Sequence, residues 1–162
     1  MNSRSRSNVP VTVRQRLFDV ALKLMNFGHR TLLAVTRGRR GWQFGPMPAV
    51  ELHTTGRVSG IRRSTMLTSP VHGDGRWVLV ASKGGDDRDP EWYRNLVANP
   101  QVELTVAGQT WPLRARTATP EEKAVLWPQI VTANPGYAEY QNKTERNIPV
   151  VICESPNEPS RP

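Results

Sequence analysis

Glycine-containing turns divide the middle of the chain into short extended segments, and this pattern limits the fold more than any other feature. The turns are Gly56-Arg57-Val58-Ser59-Gly60, His72-Gly73-Asp74-Gly75 and the single Gly108. They separate strand-like runs over 50–55, 64–68, 77–81, 102–107, 109–117 and 148–153. Tight turns of this kind place neighbouring strands antiparallel. With helices inserted between the hairpins, the pattern predicts the α+β class, built on a small antiparallel β-barrel.

One helix is indicated between the third and fourth of these strands. Asp89 is placed as an N-cap, Pro90 stands at the first helical position and Glu91 adds an acid to the first turn. The helix is expected to run to about Ala98, because Asn99-Pro100 cannot continue it.

A second helix is indicated after the fifth strand. Thr119-Pro120-Glu121-Glu122 forms a capping box, which predicts a helix through Val131 that Pro128 kinks or ends. A break over 134–136 then precedes a short helical turn over 137–142.

The net charge of +8 is concentrated in the first forty residues. Residues 1–40 carry nine lysine or arginine side chains and one acid, whereas the remainder carries thirteen of each sign. A basic chain often binds nucleic acid, but the neutral remainder and the lack of a base-stacking aromatic set argue against it. We therefore expect no nucleic-acid partner.

The basic segment is expected to contain a disordered tail over 1–12 and an amphipathic helical arm over 13–48 that ends in a Pro/Gly loop. Such a helix either lies in an anionic membrane interface or packs on the barrel, and the sequence leaves both open. The barrel domain is expected over 49–154 and a disordered tail over 155–162. The expected location is cytoplasmic, with peripheral attachment to the inner face of the plasma membrane in the first case.

Conventional catalytic groups are sparse in this chain. The single cysteine, Cys153, stands in the apolar run 148–153, so we interpret it as a core residue in a reducing compartment. The three histidines are scattered, which predicts no metal site. The longest apolar stretch, 17–35, is interrupted by charges and is not expected to span a membrane. If the protein is an enzyme, a bound cofactor is expected to supply the chemistry.

Two loops and one helix are candidates for such a site. In the first loop, Ser59 and the three arginines Arg57, Arg62 and Arg63 suit an anion, although a solvated hairpin turn has the same composition. The second, Val80-Ala81-Ser82-Lys83-Gly84-Gly85, is a buried strand end that either holds a ligand or is an ordinary glycine-rich connection.

On the helix, Trp92, Asn95 and Leu96 share one face. Such a stripe is usually core, but an asparagine between large apolar residues needs a hydrogen-bond partner when buried.

At these segments the chain resembles the deazaflavin-dependent nitroreductases and F420H2-dependent quinone reductases, actinobacterial enzymes that use coenzyme F420. The resemblance covers residues 48–154 in order. It rests on the motifs Leu52-His53-Thr54-Thr55-Gly56-Arg57-Val58-Ser59-Gly60 with Arg63, Ala81-Ser82-Lys83-Gly84-Gly85, Pro90-Glu91-Trp92-Tyr93-Arg94-Asn95-Leu96, Leu126-Trp127-Pro128-Gln129, Pro135-Gly136-Tyr137-Ala138-Glu139-Tyr140-Gln141 and Arg146-Asn147-Ile148-Pro149-Val150-Val151.

The resemblance implies a split antiparallel β-barrel, as in pyridoxine-phosphate-oxidase-like and FMN-binding proteins. It also implies hydride transfer from reduced deazaflavin C5 to a quinone or another electrophilic acceptor, including nitroaromatics. The implied contacts to the phosphate and oligoglutamate tail are Arg57, Val58, Ser59, Gly60 and Arg63, with Arg62 as an addition. The implied lining of the ring is Val80, Ala81, Ser82 and Lys83, with Trp92 and Asn95 closing the pocket. The implied acceptor-positioning residues are Ser82, Tyr137 and Tyr140.

Two positions depart from the family pattern. Met66 replaces a frequent proline, and Asn134 replaces an occasional aromatic residue, which would leave the acceptor side more open or more polar. Reduction of nitroimidazoles is therefore not expected to follow from reduction of quinones. The alternatives to a quinone reductase are an F420-binding carrier without turnover and an FMN-dependent oxidoreductase on the same fold.

Overall fold

The computed structural model describes residues 47–155, together with Val20 and the backbone of residues 43–44. The disordered tail expected over 1–12, most of the helical arm expected over 13–48 and all but the first residue of the tail expected over 155–162 lie outside the described residues.

The described residues form eight strands, three α-helices and one 3₁₀ turn. The strands are β1 (Gln43–Phe44), β2 (Met47–Thr55), β3 (Arg62–Thr68), β4 (Val71–Gly73), β5 (Arg76–Val80), β6 (Gln101–Val106), β7 (Gln109–Thr117) and β8 (Val150–Glu154). The helices are α1 (Glu91–Ala98), α2 (Pro120–Ala133) and α3 (Gly136–Asn142), and the 3₁₀ turn is Lys83–Gly85. The α+β class and the antiparallel pairing expected from the sequence are confirmed.

The sheet is curled because its two edges are joined by a very short link. Its strand order runs β1-β2-β6-β7-β8-β5-β4, and β3 pairs with β2. β3 and β4 therefore lie at opposite ends of the sheet, yet only residues 69 and 70 connect them. Two residues span at most about 7 Å, so the sheet bends until these edges meet. Ser69, which is fully buried, joins them: its N–H donates to the Pro48 carbonyl of β2 at 3.0 Å, and its hydroxyl lies 2.9 Å from the carbonyl oxygens of both Val71 and Val78 and can donate to either.

Strands β5 and β8 are apolar over 77–80 and 150–153, because both faces of these parts are covered. Leu79 and Val151 point into an inner core between the curled sheet and α1. Val80 and Val150 point the other way, into an outer core formed with α2 and α3. Successive residues of a strand face opposite sides, so two cores on one pair of strands require an unbroken apolar run. Cys153 belongs to the inner core, where burial raises the pKa of its thiol to about 12.

Two local expectations are wrong, and one of the two outcomes expected at Pro128 is excluded. Asp89 is not the N-cap of α1: Pro90 holds that position, and the Asp89 carboxylate pairs instead with Arg146 at 2.8 Å. Pro128 does not end α2, which continues to Ala133 because Leu126 and Ile130 anchor it in the outer core. The Pro/Gly loop expected before the barrel contains β1 and the beginning of β2.

Gly85 sets how closely the loop after β5 approaches α3. A Cβ at this position would lie 2.8 Å from the Tyr140 carbonyl oxygen and 2.9 Å from Lys143 Cβ, and its φ is +84°. Gly108, in the β6–β7 turn, has the same φ, but a Cβ there would meet no atom within 4 Å. Alanine substitutions at the two glycines therefore distinguish the cost of backbone strain from the cost of steric overlap.

We predict that Gly85→Ala destabilises the protein more than Gly108→Ala. Both variants carry the left-handed backbone cost of about 1–2 kcal/mol. Gly85→Ala adds a collision worth about 1–3 kcal/mol. Chemical denaturation gives both free energies of unfolding, and equal losses for the two variants would contradict the close approach of the loop to α3.

Candidate functional site

The turn between β2 and β3 is a closed ring with outward-facing donors. The Gly60 N–H donates to the Gly56 carbonyl at 2.8 Å, and the Gly56 N–H donates to the Ile61 carbonyl at 2.9 Å. The N–H groups of Val58 and Ser59 donate to no group of the described chain. Val58 is 90% exposed and Ser59 is also exposed, so a ligand can reach this part of the turn. Successive N–H groups without a partner in a turn are a feature of anion-binding loops.

Asn95 fixes this turn to helix α1. Its Oδ1 accepts from the Arg57 N–H at 3.2 Å and from the Arg57 guanidinium at 3.3 Å, and its Nδ2 donates to Thr54 Oγ1 at 3.4 Å. Asn95 and Thr54 are both buried. The partner that a buried asparagine requires is therefore the backbone of the turn, and Asn95 positions it.

Arg62 and Arg63 lie on opposite faces of the sheet, because adjacent strand residues alternate. Arg62 forms an ion pair with Glu103 at 2.5 Å, and this contact lowers the pKa of the Glu103 carboxyl. Arg63 pairs in register with Thr54, whose hydroxyl contacts α1, so Arg63 shares the α1 side. Arg63 is exposed, and its side chain makes no ion pair or hydrogen bond with the described residues. Of these two arginines, Arg63 is the one that can pair with an anionic ligand on the α1 side of the sheet.

The loop after β5 adopts a left-handed backbone over three consecutive residues. The φ angles are +47° at Lys83, +66° at Gly84 and +84° at Gly85. Lysine rarely adopts this conformation, which is strained for a residue with a Cβ. Immediately before it, Ser82 is 9% exposed, and neither its N–H nor its hydroxyl bonds to the described residues. Two adjacent donors of Ser82 are therefore available at a nearly closed position.

Arg146, for which the sequence predicted no role, holds this loop from behind. One guanidinium nitrogen contacts the carbonyl oxygens of Ala81, Ser82 and Asp86, each at 3.1 Å. Another nitrogen pairs with the Asp89 carboxylate at 2.8 Å. The Arg146 side chain is only 14% exposed. The sequence did contain a signal for this contact: residues 86–89 form an acidic loop, and Arg146 stands just before the last buried strand.

Asp86 closes the same loop. Hydrogen bonds from the Arg88 guanidinium lower the pKa of the Asp86 carboxyl to about 2, against the opposing effect of burial. The Lys83 ammonium, 3.9 Å away, also favours the charged form. Asp86 therefore stays ionised at neutral pH and balances the local positive charge.

Glu91, at the start of α1, lies between the two loops. Its carboxylate accepts from the Arg57 guanidinium at 2.6 Å, and this bond is the main reason that its pKa is lowered. Arg94 and Lys83 lower the same pKa through their charges. Glu91 bonds to the turn through Arg57, and the loop after β5 leads directly into α1 at the same residue. The turn and the loop therefore converge on one end of α1.

The remaining expected site residues are divided between this place and the cores. Trp92 and Ala81 are buried in the inner core, and Val80 in the outer core. Tyr137 is also in the outer core, where its hydroxyl meets Thr68 Oγ1 at 3.2 Å and burial raises its pKa. Tyr140 packs edge-on against Tyr137 and is half-buried. Gly60 shapes the turn with a φ of +66°.

The part of the chain that the structure describes, residues 47–155 and the few described residues before them, holds neither a cluster of metal ligands nor a membrane-spanning helix. No group of three His, Cys, Asp or Glu side chains in this part lies together as metal ligands do. No helix of the described part is long and apolar enough to cross a membrane.

Comparison with known proteins gives consistent matches. Residues 28–155 match the family model described as F420H(2)-dependent quinone reductase. An F420H(2)-dependent quinone reductase of Mycobacterium tuberculosis is 43% identical over 129 residues, which cover 76% of this chain and 85% of that protein.

Solved structures match as well. The structure of an F420-H2 dependent reductase (FDR-A) aligns with a TM-score of 0.61 and 44% identity, over 66% of this chain and 94% of that one. Another, described as a domain-swapped dimer, aligns with a TM-score of 0.63 and 39% identity, over 79% of this chain and 96% of that one. The split-barrel fold expected from the sequence is confirmed. The family match spans most of the chain, and this protein belongs to the F420H(2)-dependent quinone reductase family.

Proposed function

We propose that this protein is an oxidoreductase that transfers a hydride from reduced coenzyme F420 to a quinone or a related electrophilic acceptor. The observation that carries this proposal is the convergence of two ligand-directed loops on the start of α1. One loop offers an anion site and the other offers the Ser82 donors at a nearly closed position. A long cofactor with an anionic tail and a flat ring needs both.

The turn between β2 and β3 fits the anionic part of F420. Arg63 brings an exposed guanidinium that is unpaired among the described residues, and the N–H groups of Val58 and Ser59 add two donors. Arg57 is one-third exposed and is held by Glu91 and Asn95, so its contribution is to shape the turn and add charge. Arg62 is engaged with Glu103 on the other face, and we assign it no contact with the tail.

The loop after β5 fits the ring. Ala81, Gly84 and Gly85 bring little side-chain bulk, so a flat group can approach the backbone. Ser82 offers its N–H and hydroxyl to carbonyl or ring nitrogen acceptors. Trp92 closes the inner core beneath this end of the barrel.

The reduced deazaflavin, when bound, supplies a hydride from its C5. What the chain supplies is proximity and a dry environment, because a well-oriented acceptor in an enclosed site loses little entropy on reaction. The Ser82 hydroxyl orients the acceptor, and so does Tyr140 at the edge of α3, while water provides the accompanying proton. Tyr137 supports Tyr140 from the outer core. Nitroaromatic compounds belong to the same class of electrophilic acceptor.

We predict turnover rather than binding alone. Mixing the complex with reduced F420 against menadione should reoxidise the cofactor, followed by recovery of its absorbance and fluorescence in stopped flow. An F420 carrier with the same tail site would bind the cofactor but leave it reduced. No reoxidation with menadione or with any of several other quinones would contradict the enzymatic proposal.

Arg63→Ala is predicted to weaken F420 binding by about 1–3 kcal/mol, because a charged hydrogen bond to the tail is lost. The matched control is Arg76→Ala in the β4–β5 hairpin, which removes another exposed arginine whose side chain forms no hydrogen bond or ion pair with the described residues. Fluorescence titration with F420 measures both affinities. Equal affinity for wild type and Arg63→Ala would remove Arg63 from the site.

We also propose that the basic segment over 1–40 brings the enzyme to an anionic membrane surface, where quinones reside. The support is the charge distribution: all of the excess positive charge lies in this segment. Flotation with vesicles containing anionic lipid should recover the full chain with the vesicles and leave a chain lacking residues 1–40 in solution. Equal soluble fractions for the two chains would contradict this placement.

A further inference from the structure

Arg146 holds the loop after β5 through both backbone and side-chain groups. It contacts the carbonyl oxygens of Ala81, Ser82 and Asp86 and the carboxylate of Asp89. We propose that Arg146 is a positioning residue that directs the donors of Ser82 at the ring of the cofactor. This inference rests on the proposed function, since F420 is the group that the Ser82 donors would meet.

The direction of the Ser82 N–H follows from the geometry of the peptide bond. In a trans peptide the C=O and the next N–H point in opposite directions, and none of the peptide bonds in the described residues is cis. The Ala81 carbonyl points at the Arg146 guanidinium, at 3.1 Å. The N–H of Ser82, which belongs to the same peptide plane, therefore points away from Arg146 and out of the loop.

The hydroxyl of Ser82 is limited in the same way. The carbonyl on its C-terminal side is also held by Arg146, at 3.1 Å. Both peptide planes that flank Ser82 are therefore fixed, and with them the direction of its Cα–Cβ bond. The direction of the Ser82 N–H is therefore set before a ligand binds, and the hydroxyl extends from a fixed Cβ, which lowers the cost of binding.

Only arginine can make this set of contacts. Its planar guanidinium carries five donors in a fixed fork, whereas a lysine ammonium is a compact charge with three. In Arg146 one nitrogen, Nη2, contacts the three carbonyls while another, Nη1, pairs with Asp89. The single nitrogen of a lysine could not hold the carbonyls and the carboxylate at the same time.

Arg146 is itself held in place by the segment after α3. Its N–H donates to Thr144 Oγ1 at 3.2 Å, and its carbonyl accepts from Gln141 Nε2 at 2.8 Å. The Thr144 hydroxyl in turn donates to the Asp87 carboxylate at 2.7 Å. The loop after β5 and the segment after α3 form one connected polar network, and Arg146 is the member that reaches Ser82.

The test compares Arg146→Lys with Arg116→Lys in the full chain. Arg116 makes a similar set of charged contacts, to Glu122 and Glu154, but holds β7 and β8 to α2 rather than the loop. Hydrogen–deuterium exchange without cofactor and fluorescence titration with F420 are measured for both variants. A Ser82→Ala variant and the double variant Ser82→Ala/Arg146→Lys complete a thermodynamic cycle.

We expect Arg146→Lys to speed exchange over residues 81–89 and to raise the Kd for F420 roughly tenfold, which is about 1.4 kcal/mol. Arg116→Lys should change neither. Because Arg146 acts through Ser82, the effects of the two substitutions on the Kd should be less than additive in the double variant. If Arg146 had only a structural role, Arg146→Lys would lower the thermal stability, and the effects of the two substitutions on the Kd would be additive.

The outcomes separate the two proposals. If the wild type binds F420 and the Arg146→Lys variant binds it with the same Kd, the inference is overturned and the proposed function stands. Additive effects of the two substitutions in the cycle would have the same consequence. Failure of the wild type to bind F420 would overturn the proposed function and the inference with it.

Discussion

The two-residue link between β3 and β4 is the constraint on which the rest of the structure depends. It joins opposite ends of the strand order, so the sheet must curl, and Ser69 secures the junction with buried hydrogen bonds. Curling creates the inner core that receives Trp92 and Leu96 of α1. Once α1 is seated there, its first residue, Glu91, lies between the turn after β2 and the loop after β5.

Both loops are held from behind by a polar side chain that is largely buried. Asn95 accepts from the backbone of the first, and Arg146 donates to the carbonyls of the second. In each case the protein satisfies the groups that face inward and leaves N–H donors that face outward. Buried polar contacts of this kind must be made in full, because an unsatisfied group is costly. They give two glycine-containing segments defined shapes before a ligand arrives.

Much of the fold could be predicted because its signals are local. The hairpin at Gly108, the capping box of Thr119 and Glu122, and the face shared by Trp92 and Asn95 depend on residues a few positions apart. The need of Asn95 for a partner could also be predicted, although the partner itself could not.

What could not be predicted depends on contacts between distant parts of the chain. Asp89 has the sequence context of an N-cap, and only the folded chain brings Arg146 close enough to take it as an ion-pair partner. The strand order, and with it the curvature, depends on which edges pair. The placement of Arg62 and Arg63 on opposite faces of the sheet does not depend on distant contacts. Strand alternation alone predicts it, once β3 is known to begin at Arg62.

The central claim is that these two loops form a site for a deazaflavin with an anionic tail. Titration of the full chain with F420 and, separately, with FMN tests it most directly, because FMN has a similar ring and a much shorter tail. We predict that F420 binds at least roughly tenfold more tightly than FMN. Preferential binding of FMN would contradict the cofactor assignment and would make the protein an FMN-dependent oxidoreductase on the same fold.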